Sequence, residues 1–263
     1  MTNEIYSRKS IYALSGDEKT ALRDAFSVLY TTPEADSQSL ESKVPKRYQQ
    51  LAIILNEFGH YQWNDLLFLP WARAYFWWFE QALRSVSPGI SLPYWDYTSS
   101  RAIAEGLPEF FTDETYVSSD GTTKANPLLL ANYKFPFSTF REVKENTDLL
   151  SKAAKLIPEV NNQTGFIDFS LSVYPVDILS HSYIGGSSAN PNSASYDPVF
   201  WFTHCQLDHL WWQWQKDHHD HEVPVSVKKT QLMPFTKESD EKSVILTGED
   251  VLNTVELGYR YES

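Results

Sequence analysis

Cysteine is nearly absent from this sequence, because Cys205 is the only one among its 263 residues. One cysteine excludes an internal disulfide, and secreted domains of this size often carry several. The first residues show no apolar run of the signal-peptide type, and no segment approaches the ~20 consecutive apolar residues that a membrane-spanning helix requires. The sequence therefore predicts a cytoplasmic protein that does not cross a membrane.

Basic residues are also few: 22 Lys and Arg stand against 34 Asp and Glu, which gives a net charge of −12. A negative field of this size repels nucleic-acid phosphates and anionic lipid surfaces. We therefore expect neither a nucleic acid nor a membrane among the partners of the protein. The sequence gives no indication of its oligomeric state.

Aromatic residues, in contrast, are abundant, with 9 Trp, 15 Tyr and 15 Phe. Such side chains bury large areas and line aromatic pockets. A bulky core is the simplest explanation of this composition, and a pocket for an aromatic ligand is the alternative.

The hydrophobic pattern predicts a mainly helical protein with long loops and a few short strands. Because no linker divides residues 1–263, we expect a single domain. Ser15 and Glu18 have the spacing of a capping box, which predicts a helix that runs to about Tyr30. Further helices are predicted over residues 48–58, 70–85, 147–156, 176–183 and 198–218.

Two prolines are expected at helix starts, where a missing N–H costs nothing. Pro175 would lie in the first turn of the helix over 176–183. Asp197 would be the N-cap of the last long helix, with Pro198 at its first position. Loops with a few short strands are expected over 86–146 and 223–263.

Three residues could hold a metal ion. Asp177 and His181 are four residues apart, so a helix presents both side chains on one face. His204 lies in the next long helix, which can pack beside the first. One carboxylate and two imidazoles form a normal ligand set for a catalytic metal with an open fourth position. Either pattern alone arises often by chance, and a lone histidine is more often a satisfied core residue.

The surrounding motifs resemble those of the tyrosinase and hemocyanin family, which binds copper in type 3 centres. The segments that carry the resemblance are 68–75 (FLPWARAY), 79–81 (FEQ), 92–97 (LPYWDY), 181–186 (HSYIGG), 197–204 (DPVFWFTH), 208–211 (DHLW) and 257–261 (LGYRY). They occur in the order of the family and cover nearly the whole chain. The resemblance implies a four-helix-bundle core that would hold two copper ions, each bound by three histidines.

The chain departs from the family at the first copper site, where the resemblance places Leu55, Trp63 and Ala72 at the ligand positions. All three are apolar, so this site is predicted to be filled and without metal. At the second site the first histidine of the family is replaced by Asp177, while His181 and His204 remain.

Other positions around the second site also differ from the family pattern. Ile178 stands where an asparagine assists phenol deprotonation, Thr203 where a histidine precedes the last ligand, and Tyr174 where an acidic residue precedes the site. Without a copper pair, the dioxygen chemistry of tyrosinases, catechol oxidases and oxygen carriers is not expected.

The remaining set suits one zinc ion per chain, and it also resembles the two-histidine-one-carboxylate set of non-haem iron enzymes. A change of this kind is similar to the zinc-dependent, hemocyanin-like cyclopenases of fungal alkaloid secondary metabolism. That resemblance implies a lyase or hydrolase that converts a cyclopenin-type benzodiazepinedione epoxide to a viridicatin-type quinolone. The ring would contract with loss of methyl isocyanate, released as such or as methylamine and carbon dioxide.

Two further functions stay open: a mononuclear copper or iron oxidase or oxygenase that acts on phenolic substrates, and an inactive tyrosinase-like binding protein. Three residues could lie near the metal. Trp63 would either form an apolar wall for an aromatic alkaloid substrate or only plug the vacated site. His60 would act as an acid or base or lie in a loop, and Asp208 would either orient a ligand imidazole or form a structural ion pair.

Overall fold

The computed structural model describes residues 4–32, 47–59, 66–129, 139–218, 223–239 and 242–262. This part of the chain is mainly helical with a few short strands, as predicted. Its helices are α1 (Gly16–Thr31), α2 (Arg47–Ile54), α3 (Phe68–Val86), α4 (Ser100–Glu105), α5 (Glu109–Thr112), α6 (Asp148–Asn161), α7 (Phe166–Ile184), α8 (Val199–Asp217) and α9 (Val225–Lys229). None of these described helices combines the length and apolarity needed to cross a bilayer.

Three two-stranded sheets complete the described structure. Their strands are β1 (Tyr6–Arg8), β2 (Thr115–Val117), β3 (Thr123–Ala125), β4 (Gln231–Ser239), β5 (Lys242–Thr247) and β6 (Tyr259–Tyr261). β1 and β6 pair in parallel, and the other two sheets are antiparallel hairpins. The segments predicted as loops with strands, 86–146 and 223–263, therefore also contain the short helices α4, α5 and α9.

The start of α1 confirms the predicted capping box. The backbone N–H of Glu18 donates to Ser15 Oγ at 3.1 Å, and the backbone N–H of Ser15 donates to Glu18 Oε2 at 2.8 Å. These bonds satisfy two of the amide groups that have no partner inside a helix. The predicted helix over 48–58 is also present, with a π-helical last turn over Leu55–Gly59.

The prediction for Pro175 is wrong, because this proline lies in the middle of α7, which begins at Phe166. A proline inside a helix removes a hydrogen bond and costs about 3 kcal/mol. Burial of the apolar residues Phe169, Val173 and Val176 outweighs that cost. In the same way α6 continues past its predicted end and includes Pro158.

α8 begins at Val199, one residue later than predicted, so Pro198 and not Asp197 is its N-cap, although the Asp197 carboxylate still binds the first turn. The backbone N–H of Val199 donates to Asp197 Oδ1 at 3.0 Å, while Arg141 forms a buried ion pair with the same carboxylate. The helix start that leads to His204 is therefore fixed by a paired charge.

Aromatic packing holds α8 against the other long helices. Trp201 on α8 stacks on Phe79 of α3 with ring centroids 3.6 Å apart, and its indole N–H donates to the hydroxyl of Tyr48 on α2 at 2.9 Å. All three side chains are fully buried. The bulky core expected from the composition is thus present, and it fixes the position of α8 relative to α3.

Candidate metal centre

Asp177, His181 and His204 lie together, as the sequence predicted. Asp177 Oδ1 is 3.5 Å from His181 Nε2 one turn further along α7, and 3.6 Å from His204 Nε2 on α8. One ligand atom from each of the three residues lies within 4.8 Å of the others. A carboxylate and two imidazoles therefore converge on one point between the two helices.

Two of the three atoms that face this point have no hydrogen-bond partner in the described part of the chain. Asp177 Oδ1 and His204 Nε2 are both buried and unpaired, and separations of 3.5 and 3.6 Å are too long for hydrogen bonds. Buried polar atoms without partners are uncommon because they lose their contacts with water. Ligand atoms around a tetrahedral zinc ion with bonds of about 2.1 Å stand ~3.4 Å apart. The observed spacing fits a shared cation.

The other nitrogen of each imidazole is held by the protein. His204 Nδ1 lies 3.1 Å from the backbone carbonyl oxygen of Phe200, which can only accept, so Nδ1 carries the proton and Nε2 has a free lone pair. His181 Nδ1 lies 3.0 Å from Ser188 Oγ. Such contacts orient metal-binding imidazoles.

The electrostatics of the site favour the ligand form of His204. Burial lowers the pKa of His204 to about 4, against the opposing attraction of the Asp177 charge. The ring is therefore neutral near pH 7. Only the neutral imidazole offers a lone pair to a metal, so no proton has to be displaced from this residue.

Ser188 reaches His181 because of the glycine turn that ends α7. Gly185 and Gly186 have φ values of 66° and 56°, and a Cβ added at Gly186 would lie 2.3 Å from the backbone oxygen of Phe140. Only glycine fits this close approach. The glycine pair indicates a tight turn, and this turn was the one sequence signal that could have indicated Ser188 as a partner of His181.

Apolar rings surround the imidazoles. The ring of Phe200 lies 4.0 Å from that of His204, and the ring of Phe76 on α3 lies 5.6 Å from it. On α7 the side chains of Tyr174 and Ile178 are each 45% exposed, next to the metal-binding turn. The site thus has an apolar inner wall formed by the two phenylalanine rings, and an apolar outer edge that is accessible to solvent.

Two of the predicted positions in the vacated first site can be described. Leu55 and Ala72 are buried and have relative exposures of 3% and 6%. Trp63, the third position, and His60, the acid-base candidate, lie outside the described residues. Their predicted roles stay predictions.

Asp208 does not contact either ligand imidazole in the described structure. One of its oxygens pairs with Arg73 of α3, and the other accepts from Arg8 at 3.0 Å, Tyr259 at 2.7 Å and Tyr261 at 2.6 Å. Of the two roles that the sequence left open for Asp208, these contacts favour the structural ion pair over the orientation of a ligand imidazole.

Comparisons with known proteins were consistent with this geometry. The model of the common central domain of tyrosinase matches residues 39–164 and 144–217. A tyrosinase from Streptomyces galbus is 30% identical over 247 residues, which cover 80% of this chain and 83% of that protein. A hemocyanin from Enteroctopus dofleini is 31% identical over 192 residues, and the match spans 64% of this chain but only 15% of that much longer protein.

Solved structures show the same fold. A tyrosinase from Burkholderia thailandensis superposes with a TM-score of 0.79 at 21% identity, over 98% of this chain and 74% of that one. A functional unit of octopus hemocyanin superposes with a TM-score of 0.77 at 23% identity, over 98% of this chain and 68% of that one.

Proposed function

Because the chain belongs to the family defined by the common central domain of tyrosinase, we propose that Asp177, His181 and His204 hold one zinc ion in a non-redox enzyme. The proposed activity is that of a cyclopenase. A cyclopenin-type benzodiazepinedione epoxide contracts to a viridicatin-type quinolone, and methyl isocyanate leaves. Water then converts methyl isocyanate to methylamine and carbon dioxide.

The observation that carries this proposal is the pair of unpaired, buried atoms, Asp177 Oδ1 and His204 Nε2, which face each other at 3.6 Å. In a purely structural core these atoms would have hydrogen-bond partners. The donor set also supports zinc. One carboxylate oxygen with two imidazole nitrogens suits zinc in a site that keeps one position open.

The residues at the positions of the family's two copper sites support the binding of a single metal ion by this chain. The second site keeps a complete ligand set, whereas Leu55 and Ala72 offer no ligand atom at the first. Zinc bound at Asp177, His181 and His204 supplies Lewis acidity toward a carbonyl or epoxide oxygen without a change of oxidation state. Because this chemistry needs only one ion, it agrees with a first site whose described positions offer no metal ligand.

The chain itself provides the substrate environment. Phe76 and Phe200 exclude water from the imidazole side of the site. Tyr174 and Ile178 form the exposed apolar edge, and the ring of Tyr174 meets that of Phe68 edge-on at 6.1 Å. Aromatic rings in this arrangement suit the aryl group of the substrate.

A second candidate follows from the relatives, which are tyrosinases and hemocyanins. Two histidines and one carboxylate also bind iron, so a mononuclear iron or copper oxidase acting on phenols would use the same residues. A third candidate is a binding protein without enzymatic activity, and the experiment below distinguishes it from the other two.

The experiment combines metal analysis of the purified protein with an assay on cyclopenin. The proposal predicts one zinc per chain, formation of the quinolone product, and no turnover by Asp177→Ala. Bound iron or copper with a visible absorption band and oxidation of phenols would favour the second candidate. A metal-free protein without turnover would leave only a binding role. Turnover of cyclopenin by Asp177→Ala at the wild-type rate would reject the assigned role of the carboxylate.

A further inference from the structure

The two histidine ligands are held by different kinds of group. His204 Nδ1 lies 3.1 Å from the carbonyl oxygen of Phe200, one turn earlier in the same helix. His181 Nδ1 lies 3.0 Å from Ser188 Oγ, which stands outside α7, in the turn that follows it. The helix itself therefore orients His204, whereas the orientation of His181 depends on how a separate segment is placed.

Ser188 is the only hydrogen-bond partner of the His181 ring within the described residues. The side chain of His181 is 15% exposed, against 2% for that of His204. The ring centroid of Phe200 lies 6.4 Å from that of His181 but 4.0 Å from that of His204. Packing therefore restrains the His181 ring less than the His204 ring, and the contact with Ser188 matters more.

The hydroxyl of Ser188 also bears on which nitrogen of His181 binds a metal. A hydroxyl both donates and accepts, whereas a carbonyl oxygen only accepts. When Ser188 accepts from Nδ1–H, His181 Nε2 has a free lone pair 3.5 Å from Asp177 Oδ1. When Ser188 donates to Nδ1, the proton is on Nε2 and this nitrogen binds no cation. A cation shared by the three ligands therefore requires Ser188 as an acceptor.

The turn that carries Ser188 is fastened to other parts of the fold. The backbone N–H of Ser187 donates to the carbonyl oxygen of Phe140 at 2.8 Å, and the backbone N–H of Phe140 donates to Ser187 Oγ at 3.0 Å. Ser193 Oγ donates to the carbonyl oxygen of Ser187 at 2.9 Å. Ser188 itself is 2% exposed. Its position beside His181 is therefore fixed by the fold.

Residues 140–144, which we call the strap, join this turn to both ligand-bearing helices. The backbone N–H groups of Glu142 and Lys144 donate to carbonyl oxygens in the last turn of α7, at 3.1 and 3.0 Å. Arg141 forms its buried ion pair with Asp197, beside the start of α8. The strap therefore places the turn relative to the two helices that carry the metal ligands.

We propose that Ser188 is a positioning residue for the metal centre, placed by the strap. Its hydroxyl accepts from His181 Nδ1 and so selects Nε2 as the nitrogen that binds the metal. This inference rests on the proposed function only in requiring that Asp177, His181 and His204 bind a divalent metal. It is independent of the reaction that follows.

The test compares Ser188→Ala with Ser195→Ala in the full chain. Ser195 is a fully buried serine in the same connection between α7 and α8, and its hydroxyl donates to the backbone oxygen of Ala52 at 2.8 Å. Each variant removes one buried hydroxyl, but only that of Ser188 contacts a ligand imidazole. The measurements are the dissociation constant for Zn²⁺ by chelator competition, the visible spectrum with Co²⁺, and the melting temperature of the metal-free protein.

The proposal predicts that Ser188→Ala weakens zinc binding about 10- to 100-fold and changes the Co²⁺ spectrum, because His181 Nδ1–H loses its acceptor. Ser195→Ala should lower the melting temperature of the metal-free protein and leave the zinc affinity unchanged. Ser187→Ala removes only the acceptor of the Phe140 N–H, so it should weaken zinc binding by less than Ser188→Ala does.

Wild-type zinc affinity in Ser188→Ala would overturn the proposal, as would an equal loss of affinity in Ser195→Ala, which would indicate general destabilisation. NMR of the histidine nitrogens in the zinc-loaded wild type should show the His181 proton on Nδ1, and a proton on Nε2 would also overturn it. A wild-type protein that binds neither Zn²⁺ nor Co²⁺ would overturn the proposed function together with this inference. Zinc binding without conversion of cyclopenin would overturn only the proposed reaction.

Discussion

Two aspartates, Asp177 and Asp208, are buried in this protein but have opposite surroundings. Asp208, one turn after His204 on α8, pairs with two arginines and accepts from two tyrosines. Within the described residues Asp177 forms ion-pair contacts with two imidazoles, and its Oδ1 has no hydrogen bond. A buried charge that is fully paired holds the fold together, whereas one that faces two metal-binding imidazoles is suited to receive a cation.

The electrostatics of Asp208 agree with a structural role. Although burial alone would raise the pKa of Asp208, the neighbouring Arg73 and Arg8 hold it below its ordinary value. The carboxylate therefore stays ionised and keeps the strand that carries Arg8, the helix that carries Arg73 and the strand that carries Tyr259 in contact.

The largest effect on the free energy of unfolding is expected from Asp208→Ala. The change removes the acidic partner of the buried Arg73 and one acidic partner of the buried Arg8, which keeps its ion pair with Glu80 of α3. The buried charge that is left on Arg73 should lower the free energy of unfolding by about 3–5 kcal/mol. Chemical denaturation measures this loss. A loss below about 1 kcal/mol would contradict the structural role of the network.

Asp177→Asn should have nearly the opposite effect. Since the buried Oδ1 of Asp177 has no hydrogen bond within the described residues, removal of the charge should leave the free energy of unfolding unchanged or raise it by about 1 kcal/mol. Zinc affinity should fall more than 100-fold, which corresponds to about 2.7 kcal/mol. Chelator competition and denaturation on the same preparation measure both quantities. Retained zinc binding would show that Asp177 is not a ligand.

The sequence predicted the surroundings of Asp177 but not those of Asp208, because the partners of Asp208 are far from it along the chain. The helical period placed Asp177 and His181 on one face, and the family motifs placed His204 opposite them, so the metal cluster was predictable. The partners of Asp208 come from both ends of the chain and from α3, and no local pattern indicates such contacts. Pro175 was misplaced for a similar reason, because tertiary packing outweighed its local preference.

Metal-free protein should become less stable in acid because two histidines of α8 are buried as neutral rings. Burial lowers the pKa of both His204 and His209 to about 4, from an ordinary value of 6.5. Between these pH values the unfolded chain binds more protons than the folded one. The free energy of unfolding therefore has its full value above pH 6.5 and falls as the pH decreases toward 4.

Each of these histidines should contribute a slope of up to about 1.4 kcal/mol per pH unit in that range. The ring of His209 stacks on Tyr94 at 4.1 Å and has no hydrogen bond at either nitrogen. His209→Phe keeps an aromatic ring there and should therefore reduce the slope, as measured by denaturation between pH 4 and 7. An unchanged slope would mean that His209 is not buried neutral.

The smallest change in stability is expected at the outer edge of the site. Tyr174 is 45% exposed, so Tyr174→Ala should alter the free energy of unfolding by no more than about 0.5 kcal/mol. If its ring contacts the aryl group of the substrate, KM should rise several-fold while zinc affinity stays constant. Steady-state kinetics with cyclopenin measure this, and an unchanged KM would exclude Tyr174 from the substrate contact.

We propose that Asp177, His181 and His204 hold a single zinc ion and that apolar side chains, among them Leu55 and Ala72, occupy the first copper-site position of the family. Anomalous diffraction from crystals of the zinc-loaded protein, recorded at the zinc absorption edge, tests it most directly. The account predicts one peak per chain, bound by Asp177, His181 and His204, and no peak beside Leu55 and Ala72. A second ion at those apolar positions, or no ion among the three ligands, would contradict it.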